Sequence, residues 1–323
     1  MKTKKKTPLR IIGRILLVIL AILAVFLIIM TVYDKIMLKK NKDLYETPLG
    51  ELVEVDGRSM SVYTEGEGDH TLVFLSGWGT PSPILDFKAL YSRLSGENRI
   101  AVVEKFGYGF SDEIDDDRSM DTILRQDREA LVKAGVEGPY ILCPHSFSGY
   151  EAALWAQKYP DEVEAIVGLD CCTPNCESED ALRKNDKIMG FAKYANRALS
   201  YTGLLRLANL DQSGTLTDEE KKIFTEIACH TAANDTIMRE GSLDNELAVI
   251  GELNSSPLPT VPMIMYASAD HSGEELWVGG MQAMVDASEN GELIKLDCGH
   301  YVHDFEYERI SEDIKALITE LDK

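Results

Sequence analysis

The stretch Pro144-His145-Ser146-Phe147-Ser148-Gly149 lies between an apolar run, Tyr140-Ile141-Leu142-Cys143, and a helix-like stretch, Tyr150-Glu151-Ala152-Ala153-Leu154-Trp155-Ala156. A serine at such a strand-to-helix turn is either a helix cap or a nucleophile held in a strained backbone. A sharp turn that exposes its central side chain needs small residues two positions before and after it. Centring on Ser146 puts Pro144 and Ser148 there, whereas centring on Ser148 brings in Tyr150, which is too bulky. Ser146 is the candidate centre, and Pro144 and Ser148 both depart from the usual glycine.

Around this turn, apolar β-type runs alternate with amphipathic stretches. The runs are Thr71 to Leu75, Ile100 to Val103, Tyr140 to Cys143, Val163 to Leu169, Val261 to Tyr266 and Leu293 to Leu296. Uniformly apolar strands separated by helical patterns predict a mostly parallel sheet covered on both faces. Ahead of them Leu52-Val53-Glu54-Val55 and Met60-Ser61-Val62-Tyr63 flank Asp56-Gly57, a hairpin signal. Residues 174 to 257 hold helix-like pieces, Asp180 to Tyr201 and Thr217 to Ala233, and no strand-like run, which predicts a helical insertion. Within it, Asp211-Gln212-Ser213-Gly214-Thr215 lacks the alternating carboxylates and terminal Glu of a calcium loop.

A serine hydroxyl needs a base within hydrogen-bond reach, and the base needs an acceptor behind it. Downstream, Asp270 follows Met263-Ile264-Met265-Tyr266, and Gly299-His300 follows Leu293-Ile294-Lys295-Leu296. Both fall where parallel strands end, the edge at which such sheets hold ligands. Asp170, after Ala165-Ile166-Val167-Gly168-Leu169, is the rival acid. Asp270 is preferred because Ala267-Ser268-Ala269-Asp270 resembles the G-x-x-D segment that carries the acid after the next strand in triads of the order Ser, Asp, His. His145 and His303 read as packing or pocket residues, and the spacing of His300 and His303 lacks the helical context of a metal pair. His70, His230 and His271 have no motif around them.

In these features the chain resembles the α/β-hydrolase superfamily over residues 52 to 321. Thr71-Leu72-Val73-Phe74-Leu75-Ser76-Gly77-Trp78-Gly79 is similar to that family's third strand and oxyanion loop, with Ser76 in place of the usual His. Val103-Glu104-Lys105-Phe106-Gly107-Tyr108-Gly109-Phe110-Ser111-Asp112 is similar to its D-x-x-G-x-G-x-S segment, with Glu104 in place of Asp. Cys298-Gly299-His300-Tyr301-Val302-His303 is similar to its final loop. The resemblance implies an eight-stranded, mostly parallel sheet flanked by helices, with a lid at about 174–257. It further implies Ser146 as nucleophile, His300 as base, Asp270 as acid, and the backbone amides of Trp78 and Phe147 as the oxyanion hole. The implied activity is a serine hydrolase, esterase/lipase-like or aminopeptidase-like, acting through an acyl-enzyme on a small-molecule or lipid-like ester or amide. Lid residues Phe191, Tyr194, Leu204 and Leu205 are candidates for the substrate pocket. Departures at Pro144, Ser148 and Ser76 leave open a hydrolase-fold binding or sensing protein, and acyl transfer to an acceptor other than water shares the first half-reaction. No cofactor and no metal are implied.

The first forty residues differ from the rest. Lys2, Lys4, Lys5, Lys6, Arg10 and Arg14 precede nineteen uncharged residues, Ile15 to Tyr33, about 28 Å as a helix and close to the thickness of a hydrocarbon core. The expected organisation is a basic segment 1–14, a transmembrane helix 15–33, a linker 34–50 broken by Thr47-Pro48-Leu49-Gly50, and a hydrolase domain 51–323. Basic residues ahead of the span predict a cytoplasmic N-terminus and an extracytoplasmic domain. Residues 1–42 hold ten of the 33 Lys+Arg and one of the 54 Asp+Glu, so the remainder carries a formal charge of −30. Such acidity argues against nucleic acid as a partner, and no protein partner is implied. The six cysteines have no paired spacing of a zinc site and are expected as buried free thiols.

Overall fold

The computed structural model describes residues 8–187, 197, 201–231 and 234–323. A sheet of eight strands carries the fold: β1 Glu51–Val55, β2 Arg58–Glu65, β3 Thr71–Leu75, β4 Arg99–Glu104, β5 Tyr140–Pro144, β6 Val163–Leu169, β7 Met263–Ala267 and β8 Gly291–Lys295, in the order β1-β2-β4-β3-β5-β6-β7-β8. The pairs β1–β2 and β2–β4 are antiparallel and the rest parallel. The hairpin turns where expected: Asp56 (φ +51°) and Gly57 (φ +73°) both take the left-handed backbone that a two-residue turn requires.

All five residues of β3 are buried, because each face has its own core. Val73 and Leu75 pack with the helices Met120–Lys133, Ser148–Lys158 and Glu275–Ala287, while Leu72 and Phe74 pack against Phe87, Tyr91 and the helix Tyr307–Leu321. Between β6 and β7 the described residues form only helical elements, among them Leu204–Leu207, Asp218–Thr231, Asp235–Glu240 and Leu243–Leu253. These form the cap. The loop Asp211–Thr215 is a side-chain-capped turn, with Oδ1 of Asp211 accepting from Gly214 N and Ser213 Oγ. Phe191 and Tyr194 lie outside the described residues, as do Lys2 to Lys6; Leu204 and Leu205 are half-buried.

One boundary differs from expectation. Helix α1, Pro8–Lys40, continues past Tyr33, and a second turn of helix, α2 Asp43–Glu46, follows. Nothing between Asp34 and Lys40 breaks a helix, and Asp34 and Asn41 gain partners in the cap by continuing it. The chain becomes extended only past Pro48, where Gly50 lies so close to Val62 that a Cβ would stand 2.7 Å from its backbone. Arg10–Lys40 is long and apolar enough to cross a membrane, and 6% of its most apolar window is buried.

At the end of β4, Glu104 is wholly buried, with Oε2 accepting from Phe110 N at 2.9 Å. A Cβ on Gly109 would stand 2.0 Å from that carboxylate, which is why glycine is needed here. Burial pushes the Glu104 carboxyl up to about 7, against the pull of the Phe110 amide. A folded value above the unfolded one means that this contribution to stability is full below the unfolded value and is lost as pH rises toward 7. Glu104→Gln should therefore gain about 3 kcal/mol over the native chain between pH 4.5 and pH 8. Denaturant melts of both chains across that range check this, and a pH-independent difference would refute it.

Candidate active site

Ser146 sits two residues past β5 with φ +53°, a left-handed backbone that a non-glycine residue adopts at a cost of about 1–3 kcal/mol. Several backbone bonds hold it there. His145 N donates to Leu75 O at 2.9 Å, and Ser146 O accepts from Gly149 N at 3.0 Å and Cys172 N at 2.8 Å. The close approach that glycine permits falls at Gly149, where a Cβ would stand 2.0 Å from Cys172 O. Pro144 is tolerated because strand alternation aims its nitrogen at β6, where the ladder stops at Leu142↔Ile166 and resumes only at the bridge His145↔Leu169.

His300 lies in the loop after β8, with Nε2 2.9 Å from Ser146 Oγ. Behind it, Nδ1 donates to Asp170 Oδ2 at 2.7 Å. This corrects the expected acid. Asp270 is exposed, and its Oδ2 accepts the backbone N–H of His300 at 2.9 Å, so it holds the histidine loop and not the imidazole. Asp170 reaches the ring because its own backbone, φ +46°, turns left-handed one residue past β6. Its carboxylate is fully buried and accepts from Ser268 N, Ser268 Oγ, Trp277 Nε1 and His271 Nδ1 besides His300. Burial alone would raise its pKa, but the hydrogen bonds from His271, His300 and Ser268 hold it well below the usual carboxylate range.

His271, which carries no sequence signal, thus shares Oδ2 of Asp170 with His300. It stacks on Trp277 at 4.2 Å, and its hydrogen bond to Asp170 raises its pKa. His145 is buried and kept neutral by burial and by the neighbouring His303 and His300, and it donates from Nε2 to the carbonyl of His300 at 3.3 Å. His303 is buried on Asp86 at 3.0 Å. Among the described residues, two groups bring enough donor atoms together to hold a cation: Asp170 with His271 and His300, and Asp86 with His303 and Asp304. In the first, both Nδ1 atoms already donate to the carboxylate. In the second, burial above all, with Asp86 and Asp211 adding to it, pushes Asp304 up to about 7.

The segment Gly77-Trp78-Gly79 passes directly over the serine: a Cβ on Gly77 would stand 2.9 Å from Ser146 Cβ. Among the described residues the amide of Phe147 donates to no acceptor. The Trp78 indole points away into the cap, donating to Ile237 O at 2.7 Å and lying where a Cβ on Gly241 would meet it at 2.5 Å.

Beneath this loop lies a buried charge cluster that sequence reading missed. Lys105 Nζ, with no exposed surface, donates to Ser76 O at 3.1 Å and Ser148 Oγ at 2.9 Å, and meets Glu151 at 3.2 Å and Glu240 at 3.4 Å. Ser148 Oγ in turn donates to Ser76 O. Ser148 therefore ties the elbow helix to the residue that precedes Gly77. Arg118, also buried, joins Glu240 to Gln126. Two buried cations face three buried carboxyls, Glu151, Glu240 and Asp127. Burial and the adjacent Glu151 push Asp127 well above its ordinary value. Burial pulls the Lys105 ammonium down, but Glu240, Glu151 and Asp127 carry it above its ordinary value.

No protein-family model matches the chain. Uncharacterised protein YbdG of Bacillus subtilis is 41% identical over 221 residues, 65% of this chain and 64% of that protein. The 2-(acetamidomethylene)succinate hydrolase of Mesorhizobium japonicum is 30% identical over 132 residues, 40% of this chain and 46% of that protein. The chain thus spans less than two thirds of these relatives. Epoxide hydrolase CorEH superposes with a TM-score of 0.63 at 18% identity, covering 84% of this chain and 98% of that one. With its eight-stranded sheet, strained elbow and helical cap, the chain has the α/β-hydrolase fold.

Removing Lys105 would strand two buried carboxylates. Lys105→Met should lower unfolding free energy by about 3–5 kcal/mol, and Ser148→Ala by about 1–3 kcal/mol. Losses below about 1 kcal/mol for both in denaturant melts would show that the cluster does not hold the loop.

Proposed function

We propose that the chain is a membrane-anchored serine hydrolase that cleaves an ester or amide through an acyl-enzyme. The observation that carries this reading is the continuous hydrogen-bonded line from Ser146 Oγ through His300 to Asp170, at 2.9 and 2.7 Å. Ser146 Oγ attacks the carbonyl carbon while His300 Nε2 takes the hydroxyl proton. The imidazolium that results is stabilised by the buried Asp170 carboxylate, which stays ionised. The oxyanion forms against the amides of Phe147 and Trp78, donors of a kind worth about 3 kcal/mol each in the transition state. His300 then gives its proton to the leaving group, whose bond to the carbonyl carbon breaks. Water, deprotonated by the same nitrogen, releases the acid and restores Ser146.

The sharing of Asp170 between two histidines favours hydrolytic chemistry over a ligand-binding role, since a binding protein gains nothing from a buried, ionised carboxylate aligned on a serine-bound imidazole. The named hydrolase among the relatives acts, by its name, on an acetamido compound, in keeping with an acyl carbon as the target. Helix α1 supplies the anchor, with the basic N-terminal residues in the cytoplasm and the domain outside it.

The test is fluorophosphonate labelling and ester turnover by the full chain in detergent. Labelling is expected on Ser146 and is expected to vanish in Ser146→Ala. Asp170→Asn should lower kcat by about 10³–10⁴-fold, whereas Asp270→Asn should stay within about tenfold, because it loses one loop hydrogen bond. The reverse ranking would return the acid to Asp270, and an unlabelled native chain would end the hydrolase reading.

A further inference from the structure

The end of α1 and the cap meet in a buried polar joint. Asp34, the first charged residue after the apolar run, is 1% exposed. Its Oδ1 accepts from Arg206 Nε at 2.7 Å, and the same guanidinium grips Glu226 with both terminal nitrogens, at 2.7 and 2.8 Å. Asn41 Nδ2, in the turn just past the end of α1, donates to Glu226 Oε1 at 2.6 Å. Burial would raise the Glu226 pKa, but Arg206 and Asn41 hold it below its ordinary value, so the joint keeps its charges. Tyr45 of α2 stacks on His230 at 4.3 Å and extends the contact along the helix Asp218–Thr231. Gly203, at φ +71°, lies so close that a Cβ would stand 2.5 Å from Asp34 Cβ and 3.0 Å from Met30 O.

These contacts fix a depth. Ile15 to Tyr33 fills the hydrocarbon when α1 spans a bilayer, so Asp34 marks its edge and Met30 lies about 6 Å inside it. The cap backbone touches both. In that same stretch of cap, Tyr201 and Leu207 are large side chains that stand 55% and 66% exposed, with Arg197 meeting the Tyr201 hydroxyl. Beyond the helix Asp218–Thr231, Ile237 and Gly241 of the cap hold the Trp78 indole, whose backbone belongs to the loop over the serine.

We propose that the cap segment Tyr201–Leu207, latched to α1 by Asp34, Arg206 and Glu226, seats on the lipid bilayer, and that the site beneath the cap takes a membrane-dissolved acyl ester as its substrate. The bilayer contact stands on the joint and the exposed side chains. The substrate class rests, in addition, on the serine-hydrolase reading. A bilayer is the occupant because the anchor delivers this patch to the boundary between headgroups and acyl chains, where an apolar side chain is buried without any partner protein.

The test uses the full chain in phosphatidylcholine nanodiscs. Leu207→Cys carrying an environment-sensitive fluorophore is compared with Val132→Cys, equally exposed at 66% but on the helix Met120–Lys133, with the unsubstituted chain as the labelling background. Brominated acyl chains should quench the first and not the second, and Arg206→Leu should abolish the quenching. Equal, unquenched signals at both positions would overturn the bilayer contact, and quenching that survives Arg206→Leu would overturn the latch. For the substrate, a long-chain monoacyl ester in the nanodisc should protect Ser146 from fluorophosphonate at least about tenfold better than a short soluble ester, about 1.4 kcal/mol. Equal protection would overturn the substrate class. Absence of labelling in the native chain would defeat the hydrolase reading itself and leave the fluorescence result standing.

Discussion

The ammonium of Lys105 is the interaction on which the site depends. It lies wholly buried where β3, β4 and the elbow helix converge, and it donates both to the carbonyl before the Gly77–Gly79 loop and to the hydroxyl two residues after Ser146. A buried charge is tolerated only when paired and fully hydrogen-bonded. The pairing with Glu151 and Glu240 therefore does more than neutralise Lys105. Glu151 lies on the elbow helix and Glu240 in the cap, so one cation joins three layers of the fold. Any shift of one layer would leave buried charges unpaired.

Rigidity of that kind is what allows strain to persist. Ser146 and Asp170 are both left-handed, two residues and one residue beyond their strands, and the strands β5 and β6 are neighbours. A left-handed residue at the end of a parallel strand swings its side chain over the sheet edge, and two of them on adjacent strands point hydroxyl and carboxylate toward the same histidine. Burial of Asp170 would by itself favour its neutral form. Hydrogen bonds from His271, His300 and Ser268 reverse this, and His271 and Ser268 come from the chain just after β7. The acid on one strand thus depends for its charge on residues gathered after the next.

This explains what could be read from the sequence and what could not. Hairpin, parallel strands, elbow and terminal histidine are local patterns, and local patterns survive in a single sequence. The choice between Asp170 and Asp270 is not local. Both follow apolar runs at the ends of neighbouring strands, and only the backbone at Asp170, with donors from about a hundred residues later, decides which carboxylate faces His300. Lys105 reads as the first polar residue after a strand. Its one available signal was Glu151, a lone acid inside the apolar stretch Tyr150 to Ala156, opposite in sign to a lone base.

The same logic governs the other end of the cap. Asp34 would be costly at the edge of a hydrocarbon layer unless a cation met it there, and Arg206 meets it while holding Glu226 with its remaining nitrogens. Glu226 and Glu240 lie on successive helices of the cap, one pinned by Arg206 to Asp34 of α1 and the other by Lys105 to the loop above the serine. Trp78 packs against the cap beside the second of these, at Ile237 and Gly241. A cap held in this way cannot leave α1 without unpairing two buried carboxylates, nor leave the loop over Ser146 without stranding a buried lysine.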